Sequence, residues 1–189
     1  MGIFKKIKTL FFVSLRIRKF KLLSDCQSVS GKPEIAYPIL LKGQGKIVFG
    51  DKVKVGVELS PGFYSGYGYI EVRNPESVIE IGNNVRLNNG FSIVALQKII
   101  IGDNVLIGLN LSVSDSDFHH LNSSERFHPN PPSEEVKIGN NVFIGTDVTI
   151  LKGVTIGDNS VIGSNSVVTK SVPENVVVAG NPARIIREL

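Results

Sequence analysis

All three histidines of the chain, His119, His120 and His128, fall inside one stretch of 24 residues, SDSDFHHLNSSERFHPNPPSEEVK at positions 114–137. They are the only side chains that titrate near neutral pH, and a neutral imidazole takes the proton from a hydroxyl as its oxygen attacks a carbonyl. The adjacent His119 and His120 are the candidates for such a base; His128, followed by Pro129, reads as a loop-packing residue. Asp115 or Asp117 is close enough in sequence to orient the imidazole, or else to cap or turn the loop. The one cysteine, Cys26, lies far from this stretch with no catalytic motif around it, so direct transfer is expected in place of a covalent intermediate. One cysteine forms no internal disulfide and binds no zinc alone, and vicinal His119 and His120 point apart on an extended segment. No metal is expected, and the compartment is expected to be the reducing cytoplasm.

A loop of this kind needs a rigid support, and the flanking sequence supplies one. From Ile138 an aliphatic residue recurs at every sixth position: Ile138, Ile144, Ile150, Ile156, Ile162, Val168. A second series runs Ile81, Leu87, Ile93 and, after two extra residues, Ile101, Ile107, Val113, with a weaker start at Phe49 and Val55. Neither a helix of period 3.6 nor an alternating strand has a stride of six. Three hexads, each a short strand and a corner, make one turn of a prism in which the aliphatic residue always faces inward. Val105, Val142, Val148, Val154, Ser160 and Ser166, four positions further on, fit a second inward site. GDN at 102–104, GNN at 139–141 and GDN at 157–159 put Gly and Asn where corners need positive φ or tight bends. The stride stops between Val113 and Ile138, so the histidine stretch is a loop extruded from a solenoid, and long loops on rigid scaffolds tend to carry function.

The hexads, and the tail VFIGTDVTILKGVTIGDNSVIGSNSVVTKSVPENVVVAGNPARIIREL, resemble the hexapeptide-repeat acyltransferases over residues 47–189. The resemblance implies an all-β solenoid, a left-handed parallel β-helix, and the DSDFHH segment at 115–120 is similar to that of sugar O-acetyltransferases, where an acidic and an aromatic residue precede the catalytic His, which selects His119 as the expected base. It implies acetyl-CoA as acyl donor, with Phe143, Gly145, Thr146, Ser164, Thr169 and Lys170 along the pantetheine arm and Arg184 and Arg187 at the nucleotide phosphates. Asn88 in RLNNGFS matches an Asn that contacts the acceptor or acetyl group in galactoside and maltose acetyltransferases, unless it is a corner residue of a coil. The Asp that those enzymes carry eight residues later is Leu96 here, which puts a galactoside-type acceptor in doubt. The family's ligand groove often lies between neighbouring subunits, which implies a homotrimer.

Charge is unevenly placed. Seven of the 21 basic residues lie within positions 1–21, which hold no acid, and the other 14 face 17 acidic residues. A mildly acidic body with a basic arm argues against a nucleic-acid-binding protein, which would spread Lys and Arg over a folded face. The arm, residues 1–24, interleaves Ile3, Phe4, Ile7, Leu10, Phe11, Leu15 and Phe20 with cations. An amphipathic helix there would suit an anionic membrane surface, such as the inner face of the cytoplasmic membrane, or would pack on the body or a neighbouring subunit. Its apolar run is too short to span a bilayer, and neither a signal-peptide cleavage site nor a myristoylation motif is present.

The sequence therefore divides into a basic segment at 1–24 and a hexapeptide-repeat domain at 25–189, with 114–137 extruded. The expected activity is transfer of acetyl from acetyl-CoA to a sugar hydroxyl in bacterial surface-polysaccharide biosynthesis. The alternatives are an N-acetyltransferase of a nucleotide-linked amino sugar and a non-catalytic trimeric scaffold.

Overall fold

Each hexad forms one short strand and one corner, and three of them close a triangular coil. A computed structural model describes residues 7–189. The first sheet runs through β1 (Ser28–Ser30), β4 (Lys46–Phe49), β7 (Val78–Ile81), β10 (Lys98–Ile101), β13 (Val136–Ile138) and β16 (Thr155–Ile156). The second holds β2 (Glu34–Ile35), β5 (Lys54–Val55), β8 (Arg86–Leu87), β11 (Leu106–Ile107), β14 (Phe143–Ile144), β17 (Val161–Ile162), β19 (Val176–Ala179) and β20 (Arg184–Glu188). The third holds β3 (Ile39–Gly43), β6 (Gly68–Val72), β9 (Ser92–Ala95), β12 (Ser112–Ser114), β15 (Thr149–Ile150) and β18 (Val167–Val168). Within the coils each strand pairs in parallel with the strand of the same face in the next coil, giving a three-sided, left-handed β-helix. Among the described strands only β20 runs antiparallel, folding back along β19 after the last coil.

Register stacks like residues on like. Ile81, Ile101, Ile138 and Ile156 form one inward column; Leu87, Ile107, Ile144 and Ile162 form the second; Ile93, Val113, Ile150 and Val168 form the third. All are buried, as are Val105, Val142, Val148 and Val154. The buried serines at the same inward site are satisfied locally, Ser160 Oγ donating to the Pro173 carbonyl at 2.7 Å and Ser166 Oγ to that of Gly163 at 2.6 Å. A polar atom survives inside this core because its hydrogen bond is made.

At the corners Gly and Asn do different work. Asn84, Asn104, Asn141 and Asn159 adopt positive φ, between 55° and 62°, and Gly102 and Gly139 do not. A Cβ on Gly102 would stand 2.7 Å from the carbonyl oxygen of Gly139 in the next coil, so the glycine serves the close vertical approach of two backbones. The asparagines then ladder along the edge, Asn84 Nδ2 donating to Asn104 Oδ1 at 2.8 Å and Asn159 Nδ2 to Asn175 Oδ1 at 2.9 Å.

Two excursions leave the coils: residues 115–135, expected from the sequence, and residues 57–67 between β5 and β6, which were not. At the amino-terminal end a π-helical turn, Leu10–Ser14, leads into α1 (Leu15–Leu23). Val13, Arg16, Ile17 and Phe20 form its half-buried stripe. Arg16 Nη1 donates to the Phe63 carbonyl at 2.9 Å, and the rings of Phe20 and Tyr67 lie 4.4 Å apart. The helix is thus docked on the second excursion and the first coil. Its opposite side keeps Phe11, Leu15 and Leu22 exposed, Leu22 at 86%. The expectations for residues 1–6 lie outside the described residues. Among the described residues no helix is long and apolar enough to cross a membrane.

Gly102→Ala should lower stability by about 1–3 kcal/mol, because backbone rather than a flexible side chain must move to admit the methyl group. Thermal unfolding followed by circular dichroism checks this; an unchanged midpoint would show that the coils tolerate wider spacing.

Candidate active site at the corners of the third sheet

The 115–135 excursion leaves at the corner between the third and first sheets and is pinched at its root by an antiparallel bridge of Ser116 with Ser133. Asp115 is fully buried there. Its carboxylate accepts the backbone N–H groups of Leu96 at 2.8 Å and Gln97 at 2.7 Å, the two residues by which the stride between Ile93 and Ile101 is lengthened. Asp117 forms an ion pair with Lys152 of the following coil at 3.4 Å. Phe118 takes positive φ, 60°, its N–H donating to Ser116 Oγ, and its ring faces the Arg73 guanidinium with Cζ 4.6 Å from the centroid.

His119 is exposed, and its Nδ1 lies 3.2 Å from the carbonyl oxygen of Arg126 across the excursion. A carbonyl only accepts, so Nδ1 carries the hydrogen of this bond, and in the neutral imidazole that leaves the lone pair on Nε2. The orienting acceptor is thus a backbone carbonyl of the loop itself. Neither aspartate considered from sequence fills that role: Asp115 is committed to two amides and Asp117 to Lys152. Among the described residues neither the His120 nor the His128 imidazole has a hydrogen-bond partner; the His128 backbone N–H donates to the Glu125 carbonyl at 2.8 Å.

Asn88 stands at the other corner, between the second and third sheets. Its Nδ2 donates to Ser60 Oγ at 3.0 Å and its Oδ1 accepts the Asn89 N–H. Asn89, which the sequence reading passed over, is the buried anchor of the 57–67 excursion. Its Oδ1 accepts from Val57 N, and its Nδ2 faces the carbonyls of Val57, Ser60 and Pro61 at 3.0–3.4 Å. The signal for that excursion was present as a gap in the stride between Val55 and Ile81, filled by Pro61, Gly62, Gly66 and Gly68. Each strand residue advances about 3.3 Å, so the four residues of β9 separate the two corners by about 13 Å. One chain therefore holds Asn88 and His119 on opposite edges of a face.

The residues expected along a coenzyme divide between the same two corners. Phe143, Gly145, Thr146 and Ser164 lie on the second sheet and its corner, where Thr146 N–H donates to Ser164 Oγ at 3.1 Å. Thr169 and Lys170 follow β18 at the opposite corner. Lys170 and Arg184 line one groove of about 240 Å³ with Ser171, Pro173 and Ala183. Arg187 lies further along β20, opposite Val177. Among the described residues no carboxylate pairs with Lys170, Arg184 or Arg187, which leaves a positive end for phosphate. No group of side chains suited to a metal occurs among the described residues.

The outer faces differ. The first carries Lys46, Lys98 and Lys137, with Lys98 paired to Glu80 at 3.3 Å. The second carries an apolar column, Leu106, Phe143, Val161 and Val177, flanked by Arg86 and Arg187. Leu106 and Phe143 are about half exposed, at 47% and 49%.

Two family models match, "bacterial transferase hexapeptide (six repeats)" over residues 135–170 and "hexapeptide repeat of succinyl-transferase" over residues 98–113. The chain is 33% identical over 162 residues to the Escherichia coli K12 protein named "putative lipopolysaccharide biosynthesis O-acetyl transferase WbbJ", spanning 82% of this chain and 78% of that one. The chain belongs to the hexapeptide-repeat transferase family. This hexapeptide protein is also 46% identical over 134 residues to galactoside O-acetyltransferase of Escherichia coli K12, covering 69% of its own length and 60% of the relative's. A solved galactoside acetyltransferase in complex with coenzyme A superposes with a TM-score of 0.55 at 44% identity, covering 62% of this chain and 60% of that one. The hexapeptide chain thus spans about three fifths of the length of the galactoside enzymes it matches.

Proposed function

We propose that this hexapeptide-repeat protein transfers an acetyl group from acetyl-CoA to a hydroxyl of a sugar, with His119 as general base. The observation that carries the reading is the bond from Nδ1 of His119 to the Arg126 carbonyl, which leaves an exposed basic Nε2 on a loop rooted in a rigid solenoid. Nε2 accepts the proton of the acceptor hydroxyl while its oxygen attacks the thioester carbonyl. The tetrahedral intermediate then expels the coenzyme thiolate, which takes the proton back from the imidazole. Asp117 acts at one remove, tying the start of the loop to Lys152.

In this reading the pantetheine arm runs past Phe143, Gly145, Thr146, Ser164 and Thr169, and Lys170, Arg184 and Arg187 meet the phosphates. The similarity to galactoside and lipopolysaccharide O-acetyltransferases supports a glycan acceptor, and Leu96 in place of the expected carboxylate argues for one other than a simple galactoside. The lone Cys26 suits a reducing cytoplasm. Because Asn88 and His119 sit at opposite corners of one chain, the complete site forms between copies in a homotrimer. The apolar column on the second sheet is the surface that packs. The exposed stripe of Phe11, Leu15 and Leu22, flanked by Arg18, Lys19 and Lys21, rests on an anionic membrane surface while the inner stripe stays on the body.

His119→Ala should reduce thiol release from acetyl-CoA, assayed across a panel of sugars and nucleotide amino sugars, by about 10² to 10⁴, with coenzyme binding by calorimetry unchanged. Full activity in the variant would overturn the assignment of the base. Leu106→Glu places a charge in the apolar column and should convert a trimer into monomers on light scattering. A wild-type protein of single-chain mass would end the trimeric reading. Full-length protein should sediment with phosphatidylglycerol vesicles, and Phe11→Ser with Leu22→Ser should abolish this without loss of activity; equal sedimentation of the two would show that the stripe does not face lipid.

A further inference from the structure

We infer that Arg73, two coils before the extruded loop, positions the His119 imidazole by holding the ring of Phe118; this rests on the reading of His119 as the base. Among the described residues Phe118 is the one aromatic residue in the left-handed backbone region, where the other non-glycine residues are Asn, Asp and Lys. A bulky side chain seldom adopts that conformation, and it persists only where its surroundings over-determine it. The bonds at the root of the loop, Asp117 to Lys152 and Phe118 N–H to Ser116 Oγ, fix the chain before the Phe118 Cα. Beyond it, residues 121–130 are all exposed. The ring on Arg73 is what fixes the direction in which the chain continues into His119.

Arg73 is itself held. Tyr69, Glu71 and Arg73 alternate outward along β6 and just past its end. Arg73 Nε donates to Glu71 Oε1 at 3.1 Å. Burial, together with the neighbouring Glu71 carboxylate, pushes Tyr69 up to about 12, so the phenol keeps its proton beside that carboxylate. The guanidinium is therefore presented to the Phe118 ring from the end of a strand of the solenoid, 45 residues earlier in the chain. The ring also borders a pocket with Leu96 and Pro131, but the guanidinium is the charged group it faces, and without it the backbone at Phe118 loses a contact that favours positive φ. A return to negative φ carries His119 away from the Arg126 carbonyl and turns Nε2 from the acceptor. Arg73 touches no reacting atom; it is a positioning residue.

The test is a mutant cycle. Arg73→Ala should lower kcat for thiol release about 10- to 100-fold, the effect expected of a misplaced base, with the KM for acetyl-CoA unchanged. Arg73→Lys should recover about half of the loss on a logarithmic scale, since an ammonium also sits over the ring. In a His119→Ala background, Arg73→Ala should change the residual rate by less than about twofold, because the two residues act as one unit. Nitrogen-15 NMR of His119, which needs no acceptor, should report the Nδ1–H tautomer in the wild type and a mixture of tautomers in Arg73→Ala. Phe118→Leu provides the same readouts should Arg73→Ala fail to fold. An unchanged kcat and tautomer in Arg73→Ala, or multiplicative losses in the double variant, overturn the positioning role while leaving the base intact. A fully active His119→Ala overturns both.

Discussion

The fold depends on how closely one coil can approach the next. Parallel strands lie about 4.8 Å apart, and at the corners this spacing brings backbone against backbone. Gly82, Gly102 and Gly139 leave room for that contact, because a Cβ on any of them would come within 2.7 Å of an atom of the next coil. Once corners stack at this distance, the strands between them must stay in register, and the aliphatic columns inside follow. A slip of one residue would turn every column outward. Such a stack is repetitive by construction, so its faces carry little that is individual. What is individual to this chain lies where the stride is broken: the two-residue insertion at Leu96 and Gln97, the excursions at 57–67 and 115–135, and the tail that folds back as β20.

These breaks also mark the limit of what the sequence discloses. The inward residues were readable because a six-residue period is a local property, and every position assigned to the interior from Ile81 to Val168 is buried. The same pattern merged two corner roles, since Gly and Asn both tolerate tight bends and only the stacked backbones separate close approach from positive φ. Asp115 looked like a partner for an imidazole because it lies four residues before His119. Its actual partners, the amides of Leu96 and Gln97, lie 19 and 18 residues earlier in the chain and directly beneath it in space. Asn89 was invisible for the same reason. Its amide serves a segment about 30 residues away, and the neighbouring Asn88 carried the more suggestive motif.

The amino-terminal helix shows a related ambiguity in composition. A single apolar side bordered by cations admits either a lipid surface or the protein body, and these looked like exclusive readings. The π-helical turn at Leu10–Ser14 and the helix after it instead carry two apolar stripes. One side lies on the excursion through Arg16 and Phe20 and borders the first coil through Ile17; the other, through Phe11, Leu15 and Leu22, faces outward. Docking on the body thus orients the second stripe instead of competing with it.

Placing catalysis at prism corners has a physical consequence for assembly. A corner offers backbone N–H groups and side chains at fixed height, which suits a long thin ligand running along the prism, but it is convex and cannot enclose anything. Enclosure requires a second convex edge alongside the first. Asn88 and the root of the excursion that carries His119 stand at opposite edges of the third face, about 13 Å apart over the four residues of β9. The outer faces differ in kind: the first carries lysines, one of them paired with Glu80, whereas the second leaves Leu106 and Phe143 half exposed beside the Asn88 corner. Burying that column against another prism would bring the corner of one copy toward the loop of the next. The base would then sit at a boundary that exists only once the copies meet, and its own loop would have to be held rigid from within its chain. Arg73 and Lys152 supply that rigidity, each reaching the root of the excursion from a different coil.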